Sequence, residues 1–287
     1  METLYDRLQQ LKQHHHRLQP DRRLATLDEA KAFVDEVGIA TLTPGNELPS
    51  VFAAVQGQPY KAESRGFGSY PRDQWWWGGA LAESQNILQL KILSGKGLFV
   101  AKRLWPPLDS IIREVMGRLD QAAAGPRSLA PEARYILDYL RSHGPTRTDV
   151  LRRELGFKTS SRGRQFRRAK EQLESLGVIL GRQAKGLNTH IHVNILTLWD
   201  QRFPRPISHS QHALTKEVYQ EGLADLLRAA VHAAVIVQET TALRWFVWSR
   251  EHQAEALEGL VSSGRFHSLK HEGVVLLATA EWVDIAV

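Results

Sequence analysis

Residues 129–198 run through helical and extended patterns in an order that few folds accept. Leu129–His143 is amphipathic, with Ile136, Leu137 and Leu140 on one side, and Gly144–Pro145 breaks it. Thr148 can cap a short helix, Asp149–Leu155, and the turn Gly156–Ser161 leads into a long helix, Arg162–Leu176, stopped by Gly177. Two β-type runs follow, Val178–Gln183 and Thr189–Leu198, around the turn Ala184–Lys185–Gly186. Three helices with a short turn between the last two, closed by a hairpin, is the order of a winged helix-turn-helix.

The flanks carry fainter versions of the same pattern. Upstream, Thr26 and Glu29 form a capping box for a helix Leu27–Val37 that ends at Gly38. A strand-like run Ile39–Thr43, a turn at Pro44–Gly45–Asn46 and a helix Ser50–Gln56 come next. Gly57–Arg72 reads as a loop, Ala80–Leu93 as a helix, and Gly97–Leu104 as a strand that stops before Pro106–Pro107. Downstream of Phe203–Pro204–Arg205–Pro206, Leu214–Ala230 is helical and the stretch around Val231–Val237 is apolar enough to be buried. Leu243–Trp248 reads as a strand and Glu251–Ser262 as a helix, and Phe266–His271 and Val274–Ala278 flank a two-residue turn at Glu272–Gly273. The expected architecture is α+β, predominantly helical tandem winged helices with short hairpin wings. It comprises an N-terminal helix or tail (1–25) and three units at 26–121, 128–200 and 207–287.

The charge is unevenly spread. The 287 residues carry a net charge of +6, yet residues 141–190 hold twelve lysines and arginines against four acidic residues, so the rest of the chain is slightly acidic. On the long helix, Phe166, Ala169, Leu173 and Leu176 share one face; at about 100° per residue, Arg164, Arg167 and Arg168 point away from it. Lys158 and Arg162 stand at the entrance of this recognition-position helix, which Ser160 and Ser161 can cap, and its first amides are a seat for phosphate. Arg182 and Lys185 lie on the wing, and Arg147 precedes the short helix. Together Arg147, Lys158, Ser160, Ser161, Arg162, Arg164, Arg167, Arg168, Arg182 and Lys185 are the candidate DNA-binding residues. Few amides face outward, which favours phosphate contacts over base readout. The competing reading is a solvated basic helix, partly tied by an Arg167–Glu171 pair.

Segments VGIATLTPGNELPSVF, GPTRTDVLRRELG and FRRAKEQLESLGVI resemble the AlkZ/YcaQ-type DNA glycosylase superfamily. The resemblance implies tandem winged helices arranged around damaged DNA, and a Gln-x-Gln or Gln-x-Asp pair that positions the attacking water. The matching positions here are Thr41 and Thr43, and threonine supplies neither a carboxylate base nor an amide's paired donor and acceptor. The other candidate for water activation is Glu47, with Asn46 beside it; the plainer reading is a turn asparagine and an exposed or capping glutamate. Three consecutive tryptophans, Trp75, Trp76 and Trp77, are candidates for stacking on an opened or extruded base. They cannot all share one core face, so at least one is expected to be accessible.

No other catalytic constellation stands out. The absence of cysteine removes disulfides, thiolate metal sites and cysteine nucleophiles. Gly95–Lys96–Gly97 lacks the rest of a phosphate-binding loop. His14, His15 and His16 read as a solvated polar stretch beside a helix whose Leu4, Leu8 and Leu11 can pack on the body, and His190 and His192 as structural wing residues. No metal and no cofactor are expected, and no run is apolar enough to span a bilayer. The sequence therefore points to a cytoplasmic, nucleoid-associated protein whose partner is double-stranded DNA, damaged or distorted, read with little sequence specificity. An active glycosylase for bulky alkylated bases and a transcriptional regulator are the alternatives.

Overall fold

The computed structural model describes residues 2–59, 76–93, 96–121, 129–183, 193–205, 207 and 216–287. After an N-terminal helix α1 (Leu4–His15), one order of elements, helix–strand–helix–helix–strand–strand, recurs three times. The first repeat comprises α2 (Leu27–Val37), β1 (Ile39–Thr41), α3 (Val51–Gln56), α4 (Trp77–Ala82), β2 (Ile87–Leu93) and β3 (Lys96–Ala101), and α5 (Trp105–Gln121) follows it. The second comprises α6 (Pro131–His143), β4 (Thr146–Arg147), α7 (Thr148–Glu154), α8 (Ser160–Ser175), β5 (Ile179–Gln183) and β6 (Asn194–Leu198), followed by the single turn α9 (Trp199–Arg202). The third comprises α10 (Lys216–Ala234), β7 (Ile236–Gln238), α11 (Glu239–Ala242), α12 (Arg250–Ser262), β8 (Phe266–His271) and β9 (Val274–Thr279), and α13 (Ala280–Ala286) ends the chain. Each repeat closes a three-stranded antiparallel sheet in which the last strand lies between the other two. This is tandem winged-helix architecture, with the third helix of each repeat in the recognition position.

Local chemistry explains the element ends. Thr26 and Glu29 form the expected capping box: the Thr26 hydroxyl accepts from the Glu29 amide at 3.2 Å, and the Glu29 carboxylate accepts from the Thr26 amide at 3.0 Å. Gly177 ends α8 at φ +79°, and a Cβ there would lie 2.9 Å from Ile112 Cδ1, so both conformation and close packing demand glycine. Glu272 and Gly273, at φ +48° and +77°, make the tight hairpin turn between β8 and β9.

Several expectations change. Ala80–Leu93 is not one helix: α4 ends at Ala82, and Ile87–Leu93 pairs with β3, from Ile87 opposite Ala101 to Leu90 opposite Leu98. This strand is buried on both faces, because α8 of the second repeat covers it, so it lacks the alternation of a half-exposed strand. Pro106 and Pro107 do not mark a break; they occupy the first turn of α5, where proline's missing amide costs nothing. Leu243–Trp248 is not a strand. It is the turn between α11 and α12, and Trp245, Phe246 and Trp248 are aromatic because they are buried. Trp245 donates to the Asn46 carbonyl at 2.9 Å and Trp248 to the Leu176 carbonyl at 3.3 Å, tying the third repeat to the first two. Thr148 is the first residue of α7 rather than its cap. Its hydroxyl accepts from the Asn194 amide instead.

The N-terminal helix packs as a core element. Leu8 is fully buried against Val235, Ile236, Leu276 and Ala278 of the third repeat. The histidine run is not a solvated stretch: His15 and His16 are only 9% and 4% exposed, and His16 Nε2 lies 2.8 Å from the Ala233 carbonyl. A single apolar cluster then runs through all three repeats, joined by α5 packing on α10. Buried Asp109 of α5 holds this seam, accepting from Trp199 Nε1 at 2.6 Å, Arg113 Nε at 2.8 Å and the Ile207 amide at 2.9 Å. No helix among the described residues is long and apolar enough to cross a membrane.

Candidate nucleic-acid interface

Helix α8 owes its orientation to Phe166, Ala169 and Leu173, which are buried in the apolar cluster that also holds Ile136 and Leu140 of α6. Phe166 also packs on Phe157 with ring centroids 5.5 Å apart. That fixed inner face turns Lys158, Ser160, Ser161, Arg162, Arg164, Arg167 and Arg168 outward, and all are exposed. The cap is Thr159, whose hydroxyl accepts from the Arg162 amide at 3.3 Å; Ser160 and Ser161 are helical and leave their hydroxyls on the surface. Leu176 is only half-buried.

The cations on this face lack acidic partners. Among the described residues no ion pair engages Lys158, Arg162, Arg164, Arg167, Arg168 or Arg182, and the Arg167–Glu171 pair does not form. Arg162 reaches only the Gly156 carbonyl, at 3.3 Å. The acid nearest the end of the helix turns inward: Glu174 is 4% exposed and meets Lys170 and Lys91, each at 2.9 Å. Two outer members of the basic stretch are already engaged. Arg141 pairs with Asp120 and Asp138, and Arg147 grips Asp149 through two hydrogen bonds of 2.9 and 2.7 Å. The latter contact, chiefly through its side-chain hydrogen bond, holds the Asp149 carboxyl below its ordinary range.

Arg182 is exposed on β5, opposite Ile195. Lys185, Trp75, His190 and His192 lie outside the described residues, as do the loop from residue 60 onward, the wing turn, residues 122–128 and Pro206. Sequence reasoning missed Arg152 of α7, whose guanidinium lies 2.9 Å from where a Gly163 Cβ would stand. Glycine at 163 leaves room for that side chain beside the first turn of α8. The signal was available, since Arg152 sits in the helix that precedes the recognition position. Gln165, also exposed, adds one amide to this face.

The first repeat places α4 close by. Gln183 Oε1 on β5 lies 3.8 Å from where a Gly79 Cβ would be, so the wing strand of the second repeat runs beside the helix that begins at Trp77. Trp77 is buried at 4% exposure, whereas Trp76 is 59% exposed and stands edge-on to it, centroids 6.4 Å apart at 85°. Trp76 is thus an exposed indole with a rigid backing.

The positions matching the glycosylase pair are built differently. Thr41 is fully buried, and its hydroxyl donates to the Pro49 carbonyl at 3.3 Å, leaving no face for water. Thr43 is half-buried in the loop after β1. That loop runs through three successive positive φ values, +143° at Gly45, +59° at Asn46 and +61° at Glu47. The Glu47 carboxylate meets Lys12 Nζ of α1 at 3.3 Å, and the Asn46 carbonyl accepts from Trp245. Burial lowers the affinity of the Lys12 amine for its proton and Glu47 opposes this, so the contact is a strut between α1 and the loop. Among the described residues no group of three or more His, Asp or Glu side chains is placed to hold a metal ion.

Comparison with known proteins was made on this geometry. The family described as AlkZ related matches residues 24–236. No curated protein matches the chain by sequence. Among solved structures, the Streptomyces sahachiroi DNA glycosylase AlkZ is similar in fold, with a TM-score of 0.56 at 12% identity, covering 100% of this chain and 72% of that one. The match spans most of the chain, including the whole of the first two repeats and the start of the third, and the chain therefore belongs to the AlkZ-related family.

Proposed function

We propose that the protein binds double-stranded DNA through the exposed face of α8 and the β5 wing, with little sequence preference, and engages damaged or distorted duplexes through Trp76. One observation carries the reading: a recognition-position helix presents Lys158, Arg162, Arg164, Arg167 and Arg168 without a neutralising acid among the described residues. Exposed cations with no internal partner match a polyanion, and phosphate contacts of this kind position a protein without selecting sequence. Trp76 supports the distorted-duplex part, because a rigidly backed indole beside a basic strand is a stacking platform for an unpaired base. In this reading the repeats within 26–121, 128–200 and 207–287 are three modules of one cytoplasmic, nucleoid-associated reader, of which the second supplies most of the charge.

A second reading is favoured by one specific feature. A glutamate at positive φ, inside a loop clamped from α1 and from the third repeat, is the kind of strain that functional sites retain. It would make Glu47 the water-activating carboxylate of an active glycosylase. One experiment separates the readings: intact, bulged, alkylated and crosslinked duplexes are titrated with the protein while base release is scored. Tighter binding to the distorted duplexes without base release supports the damage reader. Abasic sites that vanish in Glu47→Gln support the glycosylase. Tight binding to one intact sequence as a symmetric dimer would overturn both in favour of a regulator.

A further inference from the structure

We propose that α1 is a clasp between the first and third repeats, closed while its two buried histidines are neutral and released when they take up protons. The inference stands apart from the DNA reading, since it concerns only how the repeats are held.

The contacts of α1 go to both sides. Toward the third repeat, Arg7 donates to the Ala286 and Val287 carbonyls at 2.6 and 2.9 Å, and Tyr5 stacks on His271 with centroids 3.7 Å apart. Lys12 donates to the Ile236 carbonyl at 2.9 Å. Toward the first repeat, Lys12 meets Glu47 at 3.3 Å, and Arg17, just past the helix, meets Glu36 of α2 at 2.8 Å. One lysine thus touches both repeats at once.

The histidines sit where a charge has no place to go. His15 packs edge-on to Trp282 of α13 and to His232 of α10, at 4.9 and 6.1 Å between centroids, and its buried Nε2 has no hydrogen-bond partner among the described residues. His232 stacks on the same Trp282 at 5.1 Å. Burial, then the neighbouring His232, pull His15 down to about 4. Glu36 opposes this, while His14 and Arg17 add to it. Burial, then Lys12, pull His16 down to about 3, against the hydrogen bond to Ala233, with His15 adding to the fall. His232 is lowered by burial despite Glu281, with Arg228 and Arg103 contributing.

The sign follows from linkage. Each ring binds its proton less readily when docked than at the ordinary imidazole value of 6.5, so docking is full above about pH 6.5 and weakens as pH falls toward the docked values. At about pH 5 each of the two histidines weakens docking about thirtyfold. Glu47 would lose Lys12 in the same event.

The chain has no cysteine, so paired labels can be placed at will. Nitroxides at Gln13→Cys and Ser262→Cys, both exposed positions, report the α1-to-third-repeat distance. A second pair, Asp225→Cys with Ser262→Cys, reports the integrity of the third repeat. The expected result is a single narrow distance at about pH 7.5 that broadens and lengthens at about pH 5, while the control pair stays narrow. His15→Phe/His16→Gln should keep the narrow distance at about pH 5, since both replacements fill the space without titrating. An unchanged distance in the unsubstituted protein, broadening of the control pair, or equal broadening in the double variant overturns the clasp. If the double variant fails to dock at neutral pH, ring C–H resonances of His15 and His16 in the unsubstituted protein decide. Titration in step with the distance change supports the proposal, and titration without it overturns it.

Discussion

Replacing Arg164, Arg167 and Arg168 together with alanine removes three guanidiniums from the outward face of α8 and nothing from its inner face. All three side chains are exposed and none has an acidic partner among the described residues. If each neutralises one phosphate, the triple variant should flatten the slope of log affinity against log salt by about 2.7, from about 0.9 per contact. The same arithmetic gives about a 500-fold loss at 0.1 M monovalent salt, or about 3.7 kcal/mol, falling to about 80-fold at 0.2 M. Anisotropy of a fluorescein-labelled duplex of mixed sequence, titrated at several salt concentrations, measures both the slope and the intercept. A shuffled duplex should lose the same factor, because phosphate contacts carry no sequence information. Thermal unfolding should barely move, since surface substitutions clear of caps and ion pairs change stability by about 0.5 kcal/mol or less. An unchanged slope would refute the reasoning, and so would a loss confined to one duplex sequence.

The tryptophan pair should separate binding from folding. Trp76→Ala should remove about 1–3 kcal/mol of preference for a bulged over an intact duplex while leaving the melting curve in place, whereas Trp77→Ala should cost about 3–5 kcal/mol of stability; equal preference for the two duplexes in the unsubstituted protein would refute the first half. Gly177→Ala forces a Cβ into a left-handed position 2.9 Å from Ile112, and denaturant unfolding should show a loss of about 2–4 kcal/mol. Asp109→Leu strands the Trp199 indole, the Arg113 guanidinium and the Ile207 amide at the seam between repeats. Calorimetry should register a destabilisation of about 3–5 kcal/mol, the cost of leaving a buried charge unpaired.

Much of this protein was legible in its residues because the relevant forces are local. The Thr26–Glu29 capping box, the Glu272–Gly273 turn and the separation of Phe166, Ala169 and Leu173 from Arg164, Arg167 and Arg168 follow from neighbours within a few positions. Winged-helix order in the second repeat, and the concentration of charge on one face of one helix, needed nothing more. Tertiary structure decided what depends on distant partners. Ile87–Leu93 is a strand because β3 and α8 cover it, and the aromatic run at 245–248 is buried without being a strand because it fills the seam beside Asn46 and Leu176. His15 and His16 are polar by type and buried by location, since α1 docks on an element more than two hundred residues away in the chain. Likewise only the packed repeats bring Lys12 to Glu47, turn Thr41 inward and leave Trp76 exposed beside the wing of the next repeat. Helical period and capping are written in consecutive residues, whereas burial between repeats is a property of the surface that arrives from elsewhere.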